Sequence, residues 1–377
     1  MKYWAERWSE LRQKEMVDFP EEFFIHDEFT TLCSTDDIMR GFSELYEVLH
    51  RIYGDMAQDA EGMLLPLFDM QEYDYFAKET RVSREASYKY AKLLYALGCS
   101  GKPDHKCGLL VNVNELNRLC KELKVTNISR HLTILENYGF TAEGLETGRI
   151  KKGTEDITVR YINNTHLMDV LYLMAKKVRC TNRLTDFFRL HYKLFADDWS
   201  TAAFGNGVDF VSDLYKSEQD KLSAQYIHKE LLSRNYFFSR QTWNEGPQIR
   251  YYKSEADCKR NTNAKFWLTS MDTNLLLYFR ISNVEKALDY IKNCPERVLN
   301  TFLMSDKGCQ KRGTECVSGI TYTLQDKTIW RCGCCNPNFQ AVPLPGDYIY
   351  YINAAEIGDM WSLQYKCELE IPVEKKQ

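Results

Sequence analysis

The stretch Asn127-Ile128-Ser129-Arg130-His131-Leu132-Thr133-Ile134-Leu135-Glu136-Asn137-Tyr138-Gly139-Phe140 decides how this chain is read. Ile128, Leu132 and Leu135 recur at helical spacing and form one apolar stripe. Thr126 reads as the N-cap of this helix, which ends near Tyr138-Gly139. Asn127, Ser129, Arg130 and Thr133 point away from the stripe. Short polar and forked cationic side chains of this kind can bond base edges, Asn to adenine and Arg to guanine. His131 is expected at a helix interface, half-buried and hydrogen-bonded, rather than on a base.

Outward from this helix the pattern stays regular. Before it, the sequence predicts a helix from about Ser83 to Leu97 with Gly98 as its stop, then a loop over Cys99–Lys106. A further helix starts from an Asn114 cap and carries Leu116, Leu119, Cys120 and Leu123. After it, Phe140–Glu146 and Ile157–Ile162 alternate as a β-hairpin whose tip runs from Gly148 to Gly153. Arg149, Lys151 and Lys152 lie at that tip, where cations would meet phosphates.

This order of elements, together with Ser129, His131, Leu132, Leu135, Gly139 and Phe140, resembles the winged-helix repressors of the arsenical-resistance-repressor type. The likeness covers residues 85–162 only. It implies a winged helix-turn-helix with the 127–136 helix in the major groove of double-stranded DNA. It also implies a homodimer. That family includes metal sensors, but its usual pair of cysteines around a single Val is missing here.

Around this module the chain is divided by charge. The whole of its 377 residues carries −4. Residues 1–80 carry a net −12, residues 81–164 a net +5 and the remainder +3. An acidic segment next to a basic one suggests docking of the first on the second, masking the recognition surface. Within 1–80, Ser34 and Asp37 form an approximate capping box. Ile38, Phe42, Leu45, Leu49 and Ile52 then make a stripe, with Gly54 as the stop. Residues 216–377 read as a helix, four strands, a helix near 283–304 and more strand around Ile320–Trp330. Tyr236-Phe237-Phe238 and Tyr348–Ile352 read as two aromatic core strands. The expected fold is therefore multidomain α+β: an acidic helical segment (1–80), a winged-helix domain with its following helix (81–195), and an α+β domain of mainly antiparallel strands (216–377).

Thirteen cysteines and no secretory leader suggest a reducing, cytoplasmic setting. Cys33, Cys120, Cys180 and Cys294 read as small buried hydrophobes, and Cys99, His105 and Cys107 as unligated. Cys309, Cys316, Cys332, Cys334 and Cys335 fall in two short Gly-containing segments, a pattern that fits one structural zinc. Buried free thiols or a redox disulfide fit the same residues.

No dinucleotide, phosphate-loop, zinc-protease or nucleophile-elbow motif is present, and no apolar run approaches a membrane span. The chain is read as a non-enzymatic DNA-binding transcriptional regulator whose C-terminal domain takes a small-molecule effector or a metal. The alternative is an interaction protein that uses the winged helix as a structural module without binding DNA. An enzyme with its site in the C-terminal domain ranks last.

Overall fold

The computed structural model describes residues 2–70, 78–104, 108–146, 148–163, 166–181, 184–195, 214–243, 246–271, 274–304, 320–331 and 338–369. It is a multidomain α+β protein of two compact units, Met1–Thr201 and Ala202–Gln377. Among the described residues, no helix is long and apolar enough to cross a membrane.

The first unit begins with α1 (Trp4–Lys14) and α2 (Thr35–Gln58). The capping box at Ser34 and Asp37 is formed, with each side chain taking the other's backbone amide. Gly54 does not stop α2. Tyr53 and Met56 are buried on either side of it, and its missing side chain makes room for Gln13. The expected Ser83–Leu97 helix is two: α3 (Lys78–Ala86) and α4 (Lys89–Ser100). Gly98 is interior to α4. There, a Cβ would fall 2.6 Å from the Ala175 Cβ and 2.7 Å from the Leu171 carbonyl oxygen of α7 (Leu167–Thr181).

The winged helix-turn-helix follows. The expected loop instead holds a hairpin, β1 (Gly101–Asp104) with β2 (Gly108–Asn112). Then come α5 (Val113–Glu122), α6 (Ile128–Glu136), β3 (Phe140–Glu143), a two-residue pair β4 (Leu145–Glu146) and β5 (Arg149–Ile150), and β6 (Asp156–Tyr161). The N-cap of α5 is Asn112, not Asn114; its side chain accepts from the Glu115 amide. Sheet order is β1-β2-β6-β3, all antiparallel, so β6 runs between β2 and β3. Val159 pairs with Leu109 on one side and Ala142 on the other. The short α8 (Leu184–Phe188) lies C-terminal to α7.

One hydrophobic core runs through the first unit. It joins Ile38, Phe42, Leu45, Leu49 and Ile52 of α2 to Leu94 and Leu97 of α4. It continues to Leu116, Leu132 and Leu135 of the helix-turn-helix, and to Leu171 and Met174 of α7. The segments 1–80 and 81–195 are therefore one folding body. Phe42 stacks edge-on against Phe19, Phe23 and Phe195 at 4.9, 5.4 and 6.0 Å.

The second unit is built on a five-stranded antiparallel sheet. Its strands are β7 (Phe237–Trp243), β8 (Gly246–Tyr252), β9 (Phe266–Met271), β10 (Asn274–Arg280) and β13 (Asn338–Ala341), in the order β13-β10-β9-β8-β7. The helices are α9 (Glu218–Ser233), α10 (Glu255–Arg260), α11 (Val284–Lys292), α12 (Glu296–Leu303) and α13 (Tyr348–Leu369). Pro295 splits the expected 283–304 helix, since proline has no amide to donate. A separate hairpin pairs β11 (Ile320–Leu324) with β12 (Lys327–Arg331). Tyr348–Ile352, expected as strand, opens α13 instead. The segment is apolar or aromatic at every position, so its sequence carries no period that marks helix over strand.

The shared core yields a prediction. Phe42→Ala should destabilise the first unit by about 3–5 kcal/mol, as for a large core truncation. The loss should be visible in hydrogen exchange at the amides of α6 as well as those of α2. Deleting residues 1–80 should leave 81–195 without helical circular dichroism.

Candidate nucleic-acid interface

The turn between α5 and α6 is made by two residues with left-handed backbones, Lys124 and Asn127, each at φ 58°. Asn tolerates that region better than other side chains, which explains why Asn127 and not Thr126 is the N-cap. Val125 is buried under the turn and donates its amide to the Cys120 carbonyl at 2.7 Å. The Asn127 side chain makes no cap hydrogen bond. The leading residues of α6 therefore keep backbone donors for an outside acceptor, and the helix dipole favours an anionic one.

A cleft of about 670 Å³ lies beside that turn. The N-terminal ends of α5 and α6 line one wall, through Asn114, Asn117, Asn127 and Ser129. The wing lines the other, through Lys151, Lys152 and Glu155. Arg130, Thr133, Arg149, Lys151 and Lys152 are exposed, as is Asn127. Among the described residues, the side chains of Arg130, Arg149 and Lys152 have no ion-pair partner.

Ser129 departs from the expected role. Its hydroxyl, 3.2 Å away, accepts the Ile150 amide of the wing, so it clamps the wing to α6 rather than facing a base. The wing tip folds back along the same edge of α6. A side chain at Gly148 would come within 3.5 Å of Thr133 Oγ1. Gly144, Gly148 and Gly153 bend the wing with φ of 100°, 71° and 92°, a region costly for other residues. Of the exposed groups on α6, Arg130 is the cation.

The acidic segment docks elsewhere. Arg51 lies 4.9 Å over the Tyr138 ring and donates to the Asn137 carbonyl at 3.5 Å. The Tyr138 hydroxyl donates to Asp55 at 2.7 Å. These contacts engage the C-terminal end of α6, and the described residues of 1–80 leave its first turn open, in place of the masking that the charge pattern suggested.

His131 is fully buried, not half-buried. Tyr90 gives its phenolic proton to the Met63 carbonyl, and His131 Nδ1 meets the same hydroxyl at 3.1 Å. Burial, with the nearby charge of Lys89, holds the imidazole down at about 4. His228 in the second unit has the same design: it is buried, 2.9 Å from the Tyr251 hydroxyl, and held at about 4 by burial.

The expected zinc ligands Cys309, Cys316, Cys332, Cys334 and Cys335 lie outside the described residues, as do His105 and Cys107. Cys99 is half-buried, and its thiol reaches the Ala175 carbonyl at 3.6 Å. Cys33 and Cys120 are buried as expected, whereas Cys180 is exposed. A different cluster can hold a metal ion: ligand atoms of Cys33, His166 and Asp169 lie within 4.8 Å of one another. Residues so far apart in sequence leave no spacing signal. Only the His166-x-x-Asp169 pair, at helical spacing, was there to be read.

Comparison with known protein families, curated proteins and solved structures gives no match. The functional reading therefore rests on geometry alone.

His131 and His228 set an acid limit. Each is neutral in the fold, with a value near 4 against an ordinary 6.5. Stability is complete above pH 6.5. Below it the unfolded chain takes up protons that the folded one refuses, and stability falls as pH drops toward 4. Each shift corresponds to at most about 3 kcal/mol. His131→Gln should flatten this acid limb for the first unit, read as hydrogen exchange of α6 between pH 7 and 4.

Proposed function

We propose that this protein binds double-stranded DNA through its winged helix, acting as a transcriptional regulator without catalytic activity. The observation that carries this reading is the open first turn of α6. Exposed Asn127 and Arg130 stand there beside a cleft whose far wall bears Lys151 and Lys152. In this reading the first turn of α6 enters the major groove. Arg130 contacts a guanine edge, and Asn127 and Thr133 contribute polar contacts. Arg149, Lys151 and Lys152 hold the phosphate backbone, helped by the two helix N-termini on the cleft. Ser129 acts indirectly, by fixing the wing.

Carboxylates on the wing favour a second reading. Glu143, Glu155 and Asp156 are exposed there, and Glu155 lines the cleft itself. Such a mixed surface suits a protein partner better than a uniformly charged phosphate backbone. The winged helix would then serve as an interaction module.

A mobility-shift assay at low salt on mixed genomic fragments separates the two. DNA binding predicts a shifted complex whose affinity falls steeply with salt. Arg130→Ala should cost about 1–3 kcal/mol and relax specificity at one position. Lys152→Ala should weaken binding on all sequences and reduce the salt slope by about one. No complex at low salt would leave the interaction module as the reading.

We also propose a structural zinc on four thiolates drawn from Cys309, Cys316, Cys332, Cys334 and Cys335. Elemental analysis of the protein purified without added metal should find zinc that chelator removes, with these thiols becoming reactive on its loss.

A further inference from the structure

Cys33 and Asp37 sit at the start of α2, and His166 and Asp169 at the start of α7. Gly41 brings these two helix ends together. A Cβ there would fall 2.7 Å from the carbonyl carbon and oxygen of His166, so only glycine permits the approach. The result is a thiol, an imidazole and a carboxylate within 4.8 Å of one another. Cys33 and Asp169 are buried, while His166 is half-exposed.

The donors are arranged as a metal centre arranges them. His166 Nδ1 lies 2.9 Å from Asp169 Oδ2. His166 Nε2 faces Asp37 Oδ1 at 3.5 Å. Asp37 is itself held by the Ser34 hydroxyl at 2.7 Å. A histidine that binds a metal through one nitrogen commonly donates the other N–H to a carboxylate, which fixes its tautomer. A helix-capping role accounts for the His166–Asp169 contact but not for the thiol gathered beside it.

We propose that Cys33, His166 and Asp169 form a binding site for a divalent, borderline-soft transition metal, with zinc as its representative. A thiolate–imidazole–carboxylate set selects such ions over magnesium or calcium. Bond lengths of about 2.0–2.3 Å place tetrahedral ligands roughly 3.3–3.6 Å apart, so a set that now lies within 4.8 Å adjusts by about 1 Å at its widest. Three protein ligands leave one position of a tetrahedron open on the half-exposed His166 side, so water or a small anion completes it. The site stands whether or not the protein binds DNA.

The test uses the full chain, stripped with chelator and titrated with zinc. Cys33→Ser, His166→Gln and Asp169→Asn should each remove one equivalent of bound zinc relative to wild type. Asp37→Asn should keep the equivalent but weaken it by about 10–100-fold. Loss confined to these residues also separates this centre from any zinc on the C-terminal cysteines. Unchanged stoichiometry and affinity in the folded single variants would overturn the proposal. A second measurement needs no variant: the zinc-loaded wild-type protein should show slower hydrogen exchange at the first turns of α2 and α7 than the stripped protein, and identical exchange there would overturn the proposal as well.

Discussion

The first unit depends on how closely α7 is approached by its neighbours. Gly41 of α2 abuts the His166 carbonyl, and Gly98 of α4 abuts the Leu171 carbonyl. At both crossings a methyl group would lie within 2.7 Å of backbone atoms, those of His166 just before α7 at Gly41 and those of Leu171 within it at Gly98. Protein interiors do not absorb such an intrusion without displacing whole elements. With both contacts in place, α2, α4 and α7 are fixed to one another, and the winged helix is built out from α4. The orientation of α6 is thus set from behind, by helices that carry none of its outward-facing residues.

How much of this was legible in the sequence varied with the kind of signal. The stripe of α2, its capping box, the helix-turn-helix and the wing all follow from local periodicity and turn chemistry. The alternation in Ile157–Tyr161 is a clean case, with Ile157 and Val159 buried. Boundaries failed where glycine had two meanings. Gly54 and Gly98 look like helix stops but serve close packing, a tertiary fact no local pattern carries. Tyr348–Ile352 failed for a different reason: a segment apolar on all sides has no period by which to tell helix from strand.

The candidate site was partly legible. Arg130, Lys151 and Lys152 are exposed as the spacing suggested. The role of Ser129 was not readable, because its partner Ile150 lies across a hairpin whose fold-back is set by three glycines. Nor was the Cys33–His166–Asp169 cluster, whose members join only once α2 and α7 cross. The net charge of 1–80 misled in an instructive way. Its carboxylates are spent on capping and on contacts such as Asp55 with Tyr138, so a sum over sequence says little about which surface they oppose.

The chain closes on itself around the winged helix. The Val17 amide donates to the Arg189 carbonyl and the His26 amide to that of Phe195, while the Tyr53 hydroxyl reaches Phe188 from 135 residues away. During synthesis on the ribosome, the first helices therefore emerge long before the partners that complete their packing. Contacts of such sequence separation are slow to form and leave apolar faces waiting. The same closure makes the winged helix hard to move between proteins. A cut at either edge of the motif would pass through its own interior, so the helices that wrap it would have to be moved with it.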